Sequence, residues 1–271
     1  MSAPQRLIGF VVGLVVVFAV AFGIGSAVTP GSAPATVHDA GHTVAYTLRL
    51  DEPALPSGAA VPLRFRIVDS TGAPVTEYVE SHEKLLHLIV VRRDLADYQH
   101  VHPVLDKSGS WSVPLELAEA GDYRVFADFV PADGRAVTVG ADLAVAGDYQ
   151  PQPLPAAADT TTVDGYTVTL AGVATAGQPS ELTLSVSRDG KPVTDLQPYL
   201  GAYGHLVAVR ASDLAYLHVH PMGDAADPAT APGPQIAFHT TLPSAGAYRL
   251  FLDFKHRDVV HTAEFTVEGT P

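Results

Sequence analysis

The sequence predicts an all-β protein, two tandem immunoglobulin-like antiparallel β-sandwiches behind one N-terminal transmembrane helix. Three observations predict it: an uncharged apolar run near the start, short strand-like runs bounded by Gly, Pro and Asp, and an internal duplication of the strand pattern.

The apolar run extends from Leu7 to Val28, with no charge between Arg6 and Asp39, long enough to cross a bilayer as a helix. Arg6 is the flanking positive charge, which places the N-terminus in the cytoplasm and the rest of the chain outside the cytoplasmic membrane. The small residues from Ser32 to Ala35 leave a cleaved signal peptide as the alternative, for which the run is unusually long. Residues 1–28 are therefore assigned to the anchor, 29–42 to a Pro/Ala/Gly/Ser-rich stalk, 43–147 to the first repeat, 148–158 to a Pro-rich linker and 159–271 to the second repeat.

The strand-like runs are rich in Val, Leu, Thr, Phe and Tyr: Thr43 to Leu50, Val61 to Val68, Leu85 to Arg92, Trp111 to Leu117, Tyr123 to Val130 and Ala136 to Val145. No long amphipathic helical period interrupts them, and each repeat reads as a sandwich of about seven strands. The chain has no cysteine, which excludes disulfides, thiolate metal sites, thiol catalysis and lipid attachment at a cysteine. A formal net charge of −13 disfavours nucleic acid and anionic lipid surfaces and suits a cationic partner.

The duplication emerges when the second repeat is laid on the first. Gly72-Ala73-Pro74-Val75-Thr76 matches Gly190-Lys191-Pro192-Val193-Thr194, and His87-Leu88 matches His205-Leu206 without a gap. His100-Val101-His102-Pro103 then matches His218-Val219-His220-Pro221. Beyond a longer loop in the second copy, the segment from Ala120 to Phe129 matches that from Ala245 to Phe254.

Four polar positions recur: His87, His100, His102 and Asp128 in the first copy, His205, His218, His220 and Asp253 in the second. His87 and Asp128 interrupt apolar strands, where an imidazole or a carboxylate needs a partner. His100 and His102 are two apart, so an extended backbone turns both to one side. The strands carrying His87 and Asp128 correspond in order to the C and F strands of a sandwich, which are neighbours. Three imidazoles and a carboxylate suit Cu(II) or Zn(II), one ion per repeat. Cu(I) would want sulfur, and Met222 alone lies near, with Val104 at the matching place. A metal-free reading stands beside this one, with each Asp orienting an imidazole to pin the His-Val-His-Pro loop. The unduplicated His38, His42, His82, His239, His256 and His261 are expected to be exposed or incidental.

With its His-x12-His-x-His-Pro spacing followed by Ala-Gly-x-Tyr-Arg and Asp-Phe, each repeat resembles exported bacterial β-sandwich proteins of the CopC-like and YtkA-like kind. The resemblance implies the sandwich fold and a link to heavy-metal handling. The free N-terminal histidine and Met-rich segments of the CopC type are missing here, so no ligand is carried over.

The expected function is a membrane-anchored, extracytoplasmic metal-binding or metal-buffering protein. The alternative is a metal-free immunoglobulin-like module that binds another envelope protein. A metal-dependent enzyme ranks third, since no further acid, base or nucleophile recurs in both copies.

Overall fold

The computed structural model describes residues 45–132 and 134–271, apart from the side chains of His218 and His220. The expected membrane span and stalk lie outside the described residues, as do His38 and His42. The described chain forms strands only, and none of its helices is long and apolar enough to cross a membrane because it has none.

The first repeat contains β1 (Thr47–Leu50), β2 (Ala54–Pro56), β3 (Gly58–Val68), β4 (Tyr78–Val79), β5 (Leu86–Arg92), β6 (Gln99–Val101), β7 (Val104–Leu105), β8 (Trp111–Leu117), β9 (Gly121–Pro131) and β10 (Val137–Ala146). Two sheets enclose its core, in the orders β1-β3-β8-β7 and β2-β10-β9-β5-β6. Strand β8 alternates strictly between buried and exposed residues, as a strand covering a core on one face must. Its first residue, Trp111, stacks on Phe65 (centroids 6.3 Å apart) and meets Tyr78 edge-on, while its indole N–H donates to the Tyr78 hydroxyl. That hydrogen bond lets a tryptophan lie fully buried without a stranded donor.

The second repeat contains β11 (Thr160–Val163), β12 (Tyr166–Ala171), β13 (Ser180–Arg188), β14 (Lys191–Pro192), β15 (His205–Arg210), β16 (Tyr216–Pro221), β17 (Gln235–Thr240), β18 (Gly246–His256) and β19 (Val259–Gly269). Its path runs β11-β12-β13-β17-β16-β15-β18-β19. The difference from the first repeat is local. In the first repeat His100 and Val101 end β6, paired with β5, and His102-Pro103 link it to β7, paired with β8, whereas unbroken β16 holds the whole matching motif, pairs with both β15 and β17 and joins the two halves.

Both repeats carry a tyrosine corner, the immunoglobulin-type device in which a Tyr hydroxyl bonds backbone a few residues upstream. Tyr123 donates to the Glu119 carbonyl (2.7 Å) and its counterpart Tyr248 to the Ser244 carbonyl (2.9 Å). The shared Ala-Gly-x-Tyr segments are thus the corners that start β9 and β18.

Every residue of β5 is buried, although a strand in one sandwich has only one core face. Leu86, Leu88 and Val90 belong to the first repeat's own core, while Ile89 and Val91 point the other way. There they meet Val207, Val209 and Phe251 of the second repeat, in a cluster completed by Leu95, Phe126 and Leu214. Tyr98 stacks flat on Phe251 (3.9 Å, 4°), and its counterpart Tyr216 packs on Phe126 (5.5 Å). The repeats therefore dock through the same face of each, residue i of one on residue j of the other and the reverse, as in an isologous interface. Because side chains alternate with period two, this face is also the one that receives His87, His100 and Asp128.

Candidate metal centre

His87 lies directly across from Asp128 in the β5–β9 register, and His100 lies across from Ile89 in the β5–β6 register. Opposed residues share a face, so His87, Ile89, His100 and Asp128 all turn toward the second repeat. His102, two residues beyond His100, joins them. The ring centroids of the three histidines lie 5.0–5.3 Å apart, and one nitrogen from each converges. His87 Nδ1 is 3.0 Å from His100 Nε2 and 3.2 Å from His102 Nε2.

The tautomers follow from the outer partners. His87 Nε2 is 3.0 Å from the Ser81 carbonyl, which only accepts, so Nε2 carries the hydrogen and Nδ1 of the neutral ring is bare. His100 Nδ1 is 2.8 Å from Asp253 Oδ2, again an acceptor, so Nε2 of the neutral ring is bare as well. Two bare nitrogens at 3.0 Å repel unless a cation sits between them. Burial pushes the His87 pKa down to about 4, with the Ser81 hydrogen bond opposing it, and drives His102 to about 3 with help from the neighbouring imidazoles. A proton on His87 or His102 is therefore disfavoured at neutral pH, whereas a metal ion binds neutral imidazole.

The dimensions fit such an ion. Zinc–nitrogen bonds of about 2.0–2.1 Å in a tetrahedron separate the ligand atoms by about 3.3 Å. Outer carbonyl and carboxylate acceptors on the distal N–H are the usual supports of metal-bound histidine, and Ser81 and Asp253 supply one of each.

The carboxylates are arranged differently from the expected quartets. Asp253 supports His100 of the first repeat, and its other oxygen accepts from Thr262 (2.6 Å). Asp128 accepts from the second repeat's Tyr216 hydroxyl (3.0 Å). Neither lies among the converging atoms, which among the described residues come from the three imidazoles. The physical reason is the docking of the two faces, which carries each carboxylate toward the opposite repeat. In the second copy, His205 repeats the first half of the pattern: Nε2 donates to the Tyr199 carbonyl (2.8 Å), leaving Nδ1 bare, and burial lowers its pKa to about 4. The backbone of β16 sets His218 across from Val207 and His220 across from His239.

Three unduplicated histidines depart from the expectation of exposed or incidental side chains. His82 lies between the repeats, its ring 6.1 Å from that of His87 and 5.4 Å from that of His205. His256 and His261 are buried around Tyr166, with His256 bonding the Tyr166 hydroxyl (2.7 Å) and Asp195, and His261 bonding Asp164 (2.7 Å). A duplication search passes over them because the first repeat keeps the counterpart tyrosine, Tyr46, edge-on to Phe129 (5.7 Å), but has Pro131 and Val137 where the second has His256 and His261. His239 is exposed, and Met222 lies half-exposed at the start of the longer loop, beside Gly223 and Thr230.

No curated protein matches the chain. Solved structures that match include the Escherichia coli adhesin FdeC (16% identity, 83% of this chain and 64% of that one, TM-score 0.27). A tetra-tandem repeat from the extending region of a large adhesion protein matches at 13% identity over 83% of this chain and 48% of that one, TM-score 0.27. The amphioxus IgVJ-C2 molecule matches at 10% identity over 80% of this chain and all of that one, TM-score 0.21. The chain thus spans less than two thirds of either adhesin structure. At these scores none bears on the argument. One family model matches both repeats, over residues 40–147 and 161–270, and the chain belongs to that family, described as a domain of unknown function, DUF8832.

Proposed function

We propose that this protein is a tandem immunoglobulin-like module of the cell envelope that binds a divalent transition metal, Zn(II) or Cu(II), at His87, His100 and His102. One observation carries the reading: the bare nitrogens of the neutral His87 and His100 rings lie 3.0 Å apart, each ring fixed by an acceptor on its far side, and His102 Nε2 lies 3.2 Å from the same His87 nitrogen. A metal ion between them relieves this without a proton on His87 or His102, which burial disfavours. The reading is one of binding, in which Ser81 O and Asp253 each hold an imidazole in place. The second repeat's His205, His218, His220 and Asp253 are proposed as a related set. The proposed location is outside the cytoplasmic membrane, tethered by residues 1–28.

A second reading has its own support. His100–Asp253 and Tyr216–Asp128 both cross the interface, which is what a metal-free His/Asp network joining two repeats into an assembly module would use.

Competition against a chromophoric chelator separates the two, using the full chain and its His102→Ala variant. The metal reading expects tight Zn(II) binding that His102→Ala weakens strongly. Wild-type protein that takes up no Zn(II) or Cu(II) decides for the network.

A further inference from the structure

We propose that His82 and His205 form a second cation position, shared between the repeats and weaker than the triad. It assigns His205 of the second repeat's set to this shared position, and it depends on the preceding reading only for the choice of metal. The ring separation of 5.4 Å and interplanar angle of 80° nearly reproduce those of His87 and His102, 5.0 Å and 83°, whose nitrogens lie 3.2 Å apart. His205 Nδ1 is left bare by the hydrogen bond from Nε2 to Tyr199 O. Asp253, across from His205 in the β15–β18 register, supplies negative charge beside it.

His82 reaches this place because of its backbone. Ser81 and Lys84 exchange both backbone hydrogen bonds, and His82 (φ 48°) and Glu83 (φ 61°) between them are both left-handed. That is the two-residue hairpin turn that Asn-Gly fills most readily. The matching turn, Tyr199 to Ala202, holds Leu200 and Gly201, so the second repeat has no counterpart imidazole. The turn also borders a cavity of about 220 Å³ lined by Ser81, His82, Lys84, His87, Asp128 and Thr138. An ion reaching His82 through this opening stays closer to solvent than one at His100, whose side chain is 5% exposed.

Zinc bound to the full chain is counted by equilibrium dialysis in wild type, His82→Asn, His205→Ala and His102→Ala. Asn accepts the left-handed turn without an imidazole, so this variant keeps the fold. The expected result is two classes of zinc in wild type, loss of the weaker class in His82→Asn and His205→Ala, and loss of the tighter one in His102→Ala. If wild type shows a single class that His82→Asn leaves unchanged, the shared position is refuted. Loss of the weaker class in His82→Asn, combined with no effect of His102→Ala, upholds it and refutes the triad instead.

Discussion

Replacing Asp253 with Asn removes a negative charge from the second repeat and should be felt at the proposed metal centre in the first. The His100–Asp253 contact is 2.8 Å long between side chains only 5% and 4% exposed, so solvent screens it little. Asn preserves the volume and an acceptor for His100 Nδ1, and the change is chiefly one of charge. A hydrogen bond to a charged group contributes about 1.5–3 kcal/mol and a neutral one about 0.5–1.5, so the metal-free protein should lose about 1 kcal/mol. Loss of an outer carboxylate that orients a ligand histidine lowers metal affinity about 10–100-fold, equivalent to about 1.4–2.7 kcal/mol. The assay is Zn(II) competition, with urea unfolding in chelator for the stability part. An affinity indistinguishable from wild type, with the protein folded, would refute the reasoning that the second repeat positions His100.

Stability in chelator should depend on pH through His87, His102 and His205, which burial holds near 4, 3 and 4. Their folded pKa values are below the unfolded value of about 6.5, so the unfolded chain takes up protons first and stability falls as pH drops from about 6.5 toward 4, by at most about 1.4 kcal/mol per unit per imidazole; a flat urea midpoint over that range contradicts it. The tyrosine pair should respond in opposite senses. Among the described residues the buried Tyr98 hydroxyl has no hydrogen-bond partner, whereas Tyr216 donates to Asp128. Tyr98→Phe should leave stability unchanged or raise it, and Tyr216→Phe should lower it by about 1–2 kcal/mol, as read from denaturant midpoints. Phe251→Ala removes the platform under Tyr98 and should cost about 3–5 kcal/mol, splitting thermal unfolding into two transitions if the interface is what couples the repeats.

Recurrence made much of the histidine cluster visible in the sequence, because four polar residues persisted in two copies that otherwise diverged. The pairing of β5 with β9 was also legible, since strand order in a sandwich fixes which strands are neighbours. The docking of the repeats was not, although Leu86 to Arg92 held its signal. A run apolar at both odd and even positions needs cover on two faces, and one sandwich core covers only one. Without that inference the quartets read as separate sites, and the crossing of Asp253 to His100 had no basis. His82 was hidden for a different reason: its position depends on a left-handed turn and on the neighbouring repeat, neither of which leaves a mark in a sequence comparison of the two copies.

The central claim, that neutral imidazoles of the first repeat hold a metal ion, is tested most directly by X-ray absorption at the zinc edge of full-length protein loaded with one equivalent of Zn(II). The account predicts three imidazole nitrogens at about 2.0–2.1 Å, with the multiple scattering of the rings. That signal should diminish in His102→Ala. A shell of oxygen scatterers without imidazole rings, the same in wild type and variant, would contradict it.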